Sequence, residues 1–259
     1  MTLANARIHR PAGYTIVETD YAFNATITLP ADPNSDFSMG GGWWQIFNAS
    51  APGGAGQRMY QKTDDTTAPF SPPNVIEHRY VEGTGDAFNS TGAGSFFYRG
   101  VNGATGLYVQ FTVWHSSDFP WNAVSNKMLS LWNTAETENA IWESVHWGPF
   151  DWQFENVVGV PLYRPNTTFG QAITEDQLRG TWWNLEVLYT YGPTAGSLEC
   201  WGGRCNGLDG PTGQLIMGHY NINCPTVSMV HDNSTWGGAS GPVPRDGFRR
   251  SDGFYVAHD

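Results

Sequence analysis

Apolar and polar residues alternate with a period of two along much of this chain. The alternation is strict over residues 107–115 (LYVQFTVWH), which is the period of a half-buried strand. Leu107, Val109, Phe111 and Val113 share the face expected in the core, while Tyr108, Gln110, Thr112 and Trp114 share the other. Residues 14–28 follow the same rule more loosely. Further strands are predicted at residues 75–80, 127–132, 140–147, 152–157, 183–191, 215–220 and 254–258. Only residues 175–179 (EDQLR) read as a helical turn, with Thr174 as its N-cap. Stretches rich in Gly, Pro, Ser and Asn at 40–42, 51–56, 64–73, 83–94 and 237–244 read as surface loops. None has the composition of an interdomain linker, and no repeat is visible. The expectation is a single all-β domain over residues 1–259, with a short irregular N-terminal arm to Pro11. Many short strands separated by turns select a sandwich or barrel.

Composition sharpens this picture. Aromatic residues make up 14% of the chain, with 12 Trp, and charged residues only 14%, so uncharged polar groups and backbone must wet much of the surface. The formal net charge is −11 with 13 Lys and Arg, which makes nucleic acid and anionic membrane surfaces poor partners. Arg245, Arg249 and Arg250 form the one basic cluster and read as a solvated loop. No apolar run approaches the roughly 20 residues that span a bilayer, so no membrane insertion is expected. The N-terminus has no signal-peptide core. Either a signal has been removed, or the chain leaves its cell another way, for instance within a virus particle. Cys200 and Cys205 flank Trp201-Gly202-Gly203-Arg204, read as a turn that would set two strand ends face to face; a disulfide and two free thiols remain open, and Cys224 has no evident partner. The five Asn-x-Ser/Thr sequons, at Asn24, Asn48, Asn89, Asn166 and Asn233, matter only in a eukaryotic secretory pathway.

Five segments taken together carry a resemblance: residues 71–80 (SPPNVIEHRY), 107–132, 179–191 (RGTWWNLEVLYTY), 234–238 (STWGG) and 251–259 (SDGFYVAHD). In this order they resemble concanavalin A-like sandwich domains of bacterial and phage proteins, of the polysaccharide-lyase-like and laminin-G-like kinds. The resemblance implies a jelly roll of two antiparallel sheets with long loops. It does not fix a chemistry, because this scaffold hosts lectins, hydrolases and lyases alike. Such domains often end in Tyr-Val-Asp-His, whereas this chain has Ala257 before His258.

Three constellations are candidates for chemistry. A glycosidase needs paired carboxylates on one face; Glu136, Glu138 and Glu143 come nearest but follow a turn and read as solvated. A lyase acting on uronic acids needs a base, an acid and a group that neutralises the carboxylate. Arg79, Gln110, His219 and Tyr220 supply those residue types; Glu77 lies with Arg79 on a face away from His78, and the adjacent His219 and Tyr220 must point apart. Glycan binding asks less, since sugar rings stack on aromatic planes and hydrogen-bond to amides. Trp114, Trp121, Trp147, Trp152, Trp201 and Trp236 lie at strand ends or in loops suited to this, and Gln110 lines the polar face of the central strand with Trp114. The pairs Trp43-Trp44 and Trp182-Trp183 each place one ring inside, and Glu186 is expected to accept hydrogen bonds within the sheet. The resemblance implies calcium as the cofactor to look for, since similar sandwiches hold one to brace a loop, with Asp20, Asp252 and Asp259 as leading oxygen ligands and Asp232 and Asp246 behind them. The leading expectation is a non-catalytic carbohydrate-binding or adhesion domain, extracellular or on a virion surface, whose partner is a polysaccharide or glycan. Its rivals are a polysaccharide lyase or glycosidase using the same groove, and a structural virion protein whose partners are other surface proteins.

Overall fold

The computed structural model describes residues 7–21, 37–40, 43–47, 59–83, 95–101, 105–121, 125–132, 138–145, 150–153, 167–169, 173–205, 213–232, 234, 236–237 and 242–259. Among them are seventeen strands and one short helix. The strands are β1 (Ile16–Tyr21), β2 (Phe37–Gly40), β3 (Trp43–Phe47), β4 (Met59–Lys62), β5 (Val75–Tyr80), β6 (Ser95–Arg99), β7 (Gly106–His115), β8 (Ser125–Trp132) and β9 (Glu138–Val145). They continue with β10 (Phe150–Gln153), β11 (Thr167–Phe169), β12 (Trp183–Thr190), β13 (Gly192–Arg204), β14 (Gln214–Cys224), β15 (Met229–Asp232), β16 (Trp236–Gly237) and β17 (Gly247–His258). The helix α1 (Glu175–Leu178) starts at Thr174, whose capping box with Gln177 holds its first turn.

Nine strands form one antiparallel sheet in the order β11, β14, β13, β12, β7, β17, β5, β4, with β1 also paired to β17. The other eight form a second sheet, ordered β10, β9, β8, β15, β6, β3, β2, with β16 on β8. Leu107, Val109, Phe111 and Val113 of β7 share one buried cluster with Met128, Leu129 and Leu131 of β8 and Val230 of β15, so the two sheets close over a common apolar interior.

Inside that interior lies a buried ionic group. Asp232 of β15 accepts a hydrogen bond from Arg249 of β17 at Oδ1 and from Ser251 Oγ at Oδ2, 3.2 Å away, and His78 Nε2 of β5 lies 3.0 Å from the same Oδ2. Burial pushes the Asp232 carboxyl up, but the Arg249 guanidinium and His78 outweigh it and hold it below the usual carboxylate range. The expected solvated Arg cluster is therefore corrected. Arg249 is fully buried, Arg250 faces the opposite side of β17, and only the exposed Arg245 lies in a loop, donating to the Asp118 carbonyl at 2.8 Å.

A second correction concerns β13. Its 13 residues were not foreseen, and the Gly202-Gly203 pair read as a turn lies within the strand, paired to Leu185 and Asn184 of β12. Gly202 is there for packing: a Cβ on it would come within 2.5 Å of Ile216 Cδ1 and 2.8 Å of Leu185 Cδ2. Cys200 consequently sits in the core and Cys205 beside Trp114 and Trp182, and neither they nor Cys224 are in a disulfide.

Candidate functional site

The outer face of the nine-stranded sheet carries the side chains that alternate with the core residues. Register decides which of them meet. Tyr60 of β4 stands opposite Glu77 of β5, Glu77 opposite Arg250 of β17, and Arg250 opposite Trp114 of β7, which makes one row across four strands. Tyr60 donates to Glu77 Oε1, Arg250 Nε donates to Glu77 Oε2 at 2.6 Å, and the Arg250 guanidinium lies 4.3 Å over the Trp114 ring. Trp182, just before β12, packs against Trp114 on the same side.

The loop after β4 folds over this row. Arg250 Nη1 donates to Asp65 Oδ2 at 2.9 Å, and Asp65 Oδ1 accepts from the backbone and hydroxyl of Thr67 at 2.9 and 2.6 Å. The Trp182 indole N–H in turn donates to Thr67 Oγ1 at 3.1 Å. Between loop and sheet lies a pocket of about 720 Å³ lined by Trp114, Trp182, Arg250, Lys62 and residues 64–69, with Gly180, Thr181 and Cys205 completing its wall. Its two cations are already paired, Lys62 with Asp64 and Arg250 with Asp65 and Glu77. Two cations thus meet three carboxylates, and the wall has no surplus positive charge. Burial pushes the Cys205 thiol up to about 12, so it stays protonated. Burial, and then the Glu77 carboxylate, likewise push the Tyr60 phenol up.

The residues singled out from the alternation fall in several places. Trp114 is half-buried in the pocket wall. Trp121 packs in the core, 4.6 Å from both Phe119 and His115, and is not a surface platform. Gln110 is buried, donating to Asn184 Oδ1 at 2.9 Å and accepting from Arg7. Trp152 and Trp236 lie in β10 and β16 by their backbone, and Trp147 lies outside the described residues.

Arg79, Gln110, His219 and Tyr220 are not brought together. His219 is fully buried, whereas Tyr220 points outward to Glu199 Oε1 at 2.7 Å and is pushed up to about 12 by burial. Three strand spacings, about 14 Å, separate β14 from β7, and β5 lies two strands beyond β7. Arg79 itself lies 5.8 Å over the Phe248 ring.

The aspartates named for calcium are likewise apart, each with protein partners. Asp20 pairs with Arg7, and Asp259 accepts from Thr105. Asp252 accepts from Phe70 N, Ser71 N and Ser71 Oγ, which anchors the loop before β5. Asp246 accepts from Glu82 N at 2.8 Å. Among the described residues, no group of three or more His, Cys, Asp or Glu is arranged to hold a metal ion. Lys62, residues 64–67, Trp182 and Arg250 were missed as site residues. The loop residues were signalled only by a polar run, TDDTT at 63–67, while Trp182 was read only as half of a Trp pair and Arg250 only as part of the basic cluster.

No protein-family model matches the chain, and no curated protein matches it. Solved structures do. Alginate lyase AlgAT5 from polysaccharide lyase family 7 is 8% identical, with a TM-score of 0.53 over 92% of this chain and 95% of that one. The alginate lyase vAL-1 from Chlorella virus is 14% identical, with a TM-score of 0.50 over 76% of this chain and 90% of that one. The botulinum neurotoxin serotype C1 binding domain is 9% identical, with a TM-score of 0.50 over 93% of this chain and 48% of that one, so the chain spans about half its length. At these identities the likeness is one of fold, and the fold is a concanavalin A-like jelly roll.

Proposed function

We propose that the protein binds a neutral glycan in the Trp114 pocket and does not cleave it. The observation that carries this reading is the pocket's composition. A half-buried indole supplies a plane for the C–H face of a sugar ring, while the rim offers carboxylates and threonine hydroxyls to the sugar's own hydroxyls. The paired state of Lys62 and Arg250 favours a neutral sugar over a uronate, whose carboxylate would find both cations engaged and three acidic groups nearby. Cleavage by elimination would also call for a base at the sugar. Among the described residues of the pocket wall there is no histidine, and the phenol beside it keeps its proton. The solved structures of similar fold include both alginate lyases and a toxin binding domain, so the fold permits either outcome. We place this activity outside a cell or on a virion surface, a setting that suits a chain in which only 14% of residues are charged.

The test is a panel of soluble polysaccharides, including neutral β-glucans and mannans as well as alginate and pectin. Binding to a neutral member, with no rise in unsaturated product and no new reducing ends, is expected. Chain cleavage, or capture of uronates alone, would overturn the reading.

A further inference from the structure

The N-terminal arm lies across the outer face of the same sheet, away from the pocket, and its contacts there are those of a ligand in a site. The Arg7 guanidinium sits 3.9 Å over the Tyr255 ring and donates to Gln110 Oε1 at 3.3 Å. Arg10 donates to the Tyr255 hydroxyl. The His9 ring stacks on Trp201 with centroids 4.5 Å apart and planes 6° from parallel, and the His9 backbone N–H donates to Glu186 Oε2 at 2.8 Å.

The receiving groups are built into the sheet. Glu186 stands opposite both Gln110 and Trp201 in register, and Gln110 opposite Tyr255, so one row across β13, β12, β7 and β17 supplies these contacts; beside the row, Asp20 of β1 pairs with Arg7 at 2.5 Å and the Gly213 carbonyl lies 3.3 Å from His9 Nε2. Tyr108 donates to Glu186 Oε2 and Gln110 donates to Asn184, which fixes the acceptors in place independently of the arm. The arm has no apolar anchor of its own among residues 7–10, since Ile8 is 41% exposed. It is held by stacking, ionic and hydrogen-bonding contacts alone, on a chain whose net charge is −11.

We propose that this row is a binding groove for basic peptide, with arginine over Tyr255 and a flat ring over Trp201, and that residues 7–10 are its resident, displaceable occupant. The groove is separate from the glycan pocket, whose lining shares none of these residues.

The test uses the full chain with the arm contacts removed, Arg7→Ala/His9→Ala/Arg10→Ala, and a labelled peptide of residues 4–13 (ANARIHRPAG) followed by fluorescence anisotropy. The variant should bind the peptide at least about tenfold tighter than the wild-type chain, in which the arm competes. A peptide with both arginines changed to lysine should bind about tenfold more weakly, because an ammonium neither stacks on tyrosine as a plane nor forks. Added Glu186→Gln should weaken binding similarly. Circular dichroism and a cooperative melt establish that the variants are folded. Absence of peptide binding to the folded triple variant would overturn the proposal, as would binding indifferent to the arginines. Glycan binding by the same samples is read separately, so either proposal can fail alone.

Discussion

Asp252 shows how a residue's surroundings redefine what its type suggests. As an acidic residue it was expected to supply a loop oxygen to calcium, but the bulge in β17, with Gly253 at φ 79°, turns it onto the loop at Phe70 and Ser71. Burial is the largest influence and pushes its carboxyl up to about 6, despite those hydrogen bonds. A carboxyl that holds its proton more tightly folded than unfolded stabilises the fold below the unfolded value, and that contribution is lost as pH rises through about 6. Asp252→Asn cannot titrate. The stability of the wild type relative to this variant should therefore fall by on the order of 3 kcal/mol between about pH 4 and pH 7. Urea unfolding at the two pH values measures it, and a constant or rising difference would refute the assignment. Trp114 was legible as an outer-face residue because strict alternation put it there. Its partners Arg250 and Asp65 were not, since only the register of β17 against β7 and the fold of the loop after β4 bring them to it.

At the scale of elements, strands with clean alternation were legible almost to the residue: β5 as Val75–Tyr80, β7 from Gly106 to His115, and β12 from Trp183. The strand that escaped, β13, has the sequence GPTAGSLECWGGR, whose glycines and proline mark a turn by local propensity. Tertiary packing overrides that propensity, because β13 lies between β12 and β14 and the side chains of Leu185 and Ile216 fill the space over Gly202. Gly202→Ala should therefore destabilise the protein by about 1–3 kcal/mol through overpacking. A lowered denaturation midpoint at unchanged slope is the expected result. A neutral outcome would mean that the interior over β13 yields. Trp121 was misread for a related reason: the short turn after β7 folds its ring back onto His115 and Phe119, which no local pattern announces.

For the molecule as a whole, the class was legible because period-two alternation and turn spacing are both local, and their sum admits few architectures. The tie between the sheets was not. Asp232 and Arg249 belong to different sheets and are both fully enclosed. Asp232→Ala would leave the guanidinium buried beside His78 without its carboxylate, and should cost about 3–5 kcal/mol. Chemical denaturation reads that loss directly; a change under about 1 kcal/mol would mean that water reaches the Arg249 site.

The proposed function centres on the indole of Trp114 as the plane on which a neutral sugar would stack. Calorimetric titration of a neutral oligosaccharide into wild-type protein and Trp114→Ala tests it most directly. The variant should keep its fold and lose affinity at least about tenfold, roughly the worth of one aromatic contact in a partly desolvated site. Equal affinity in the two proteins would contradict it.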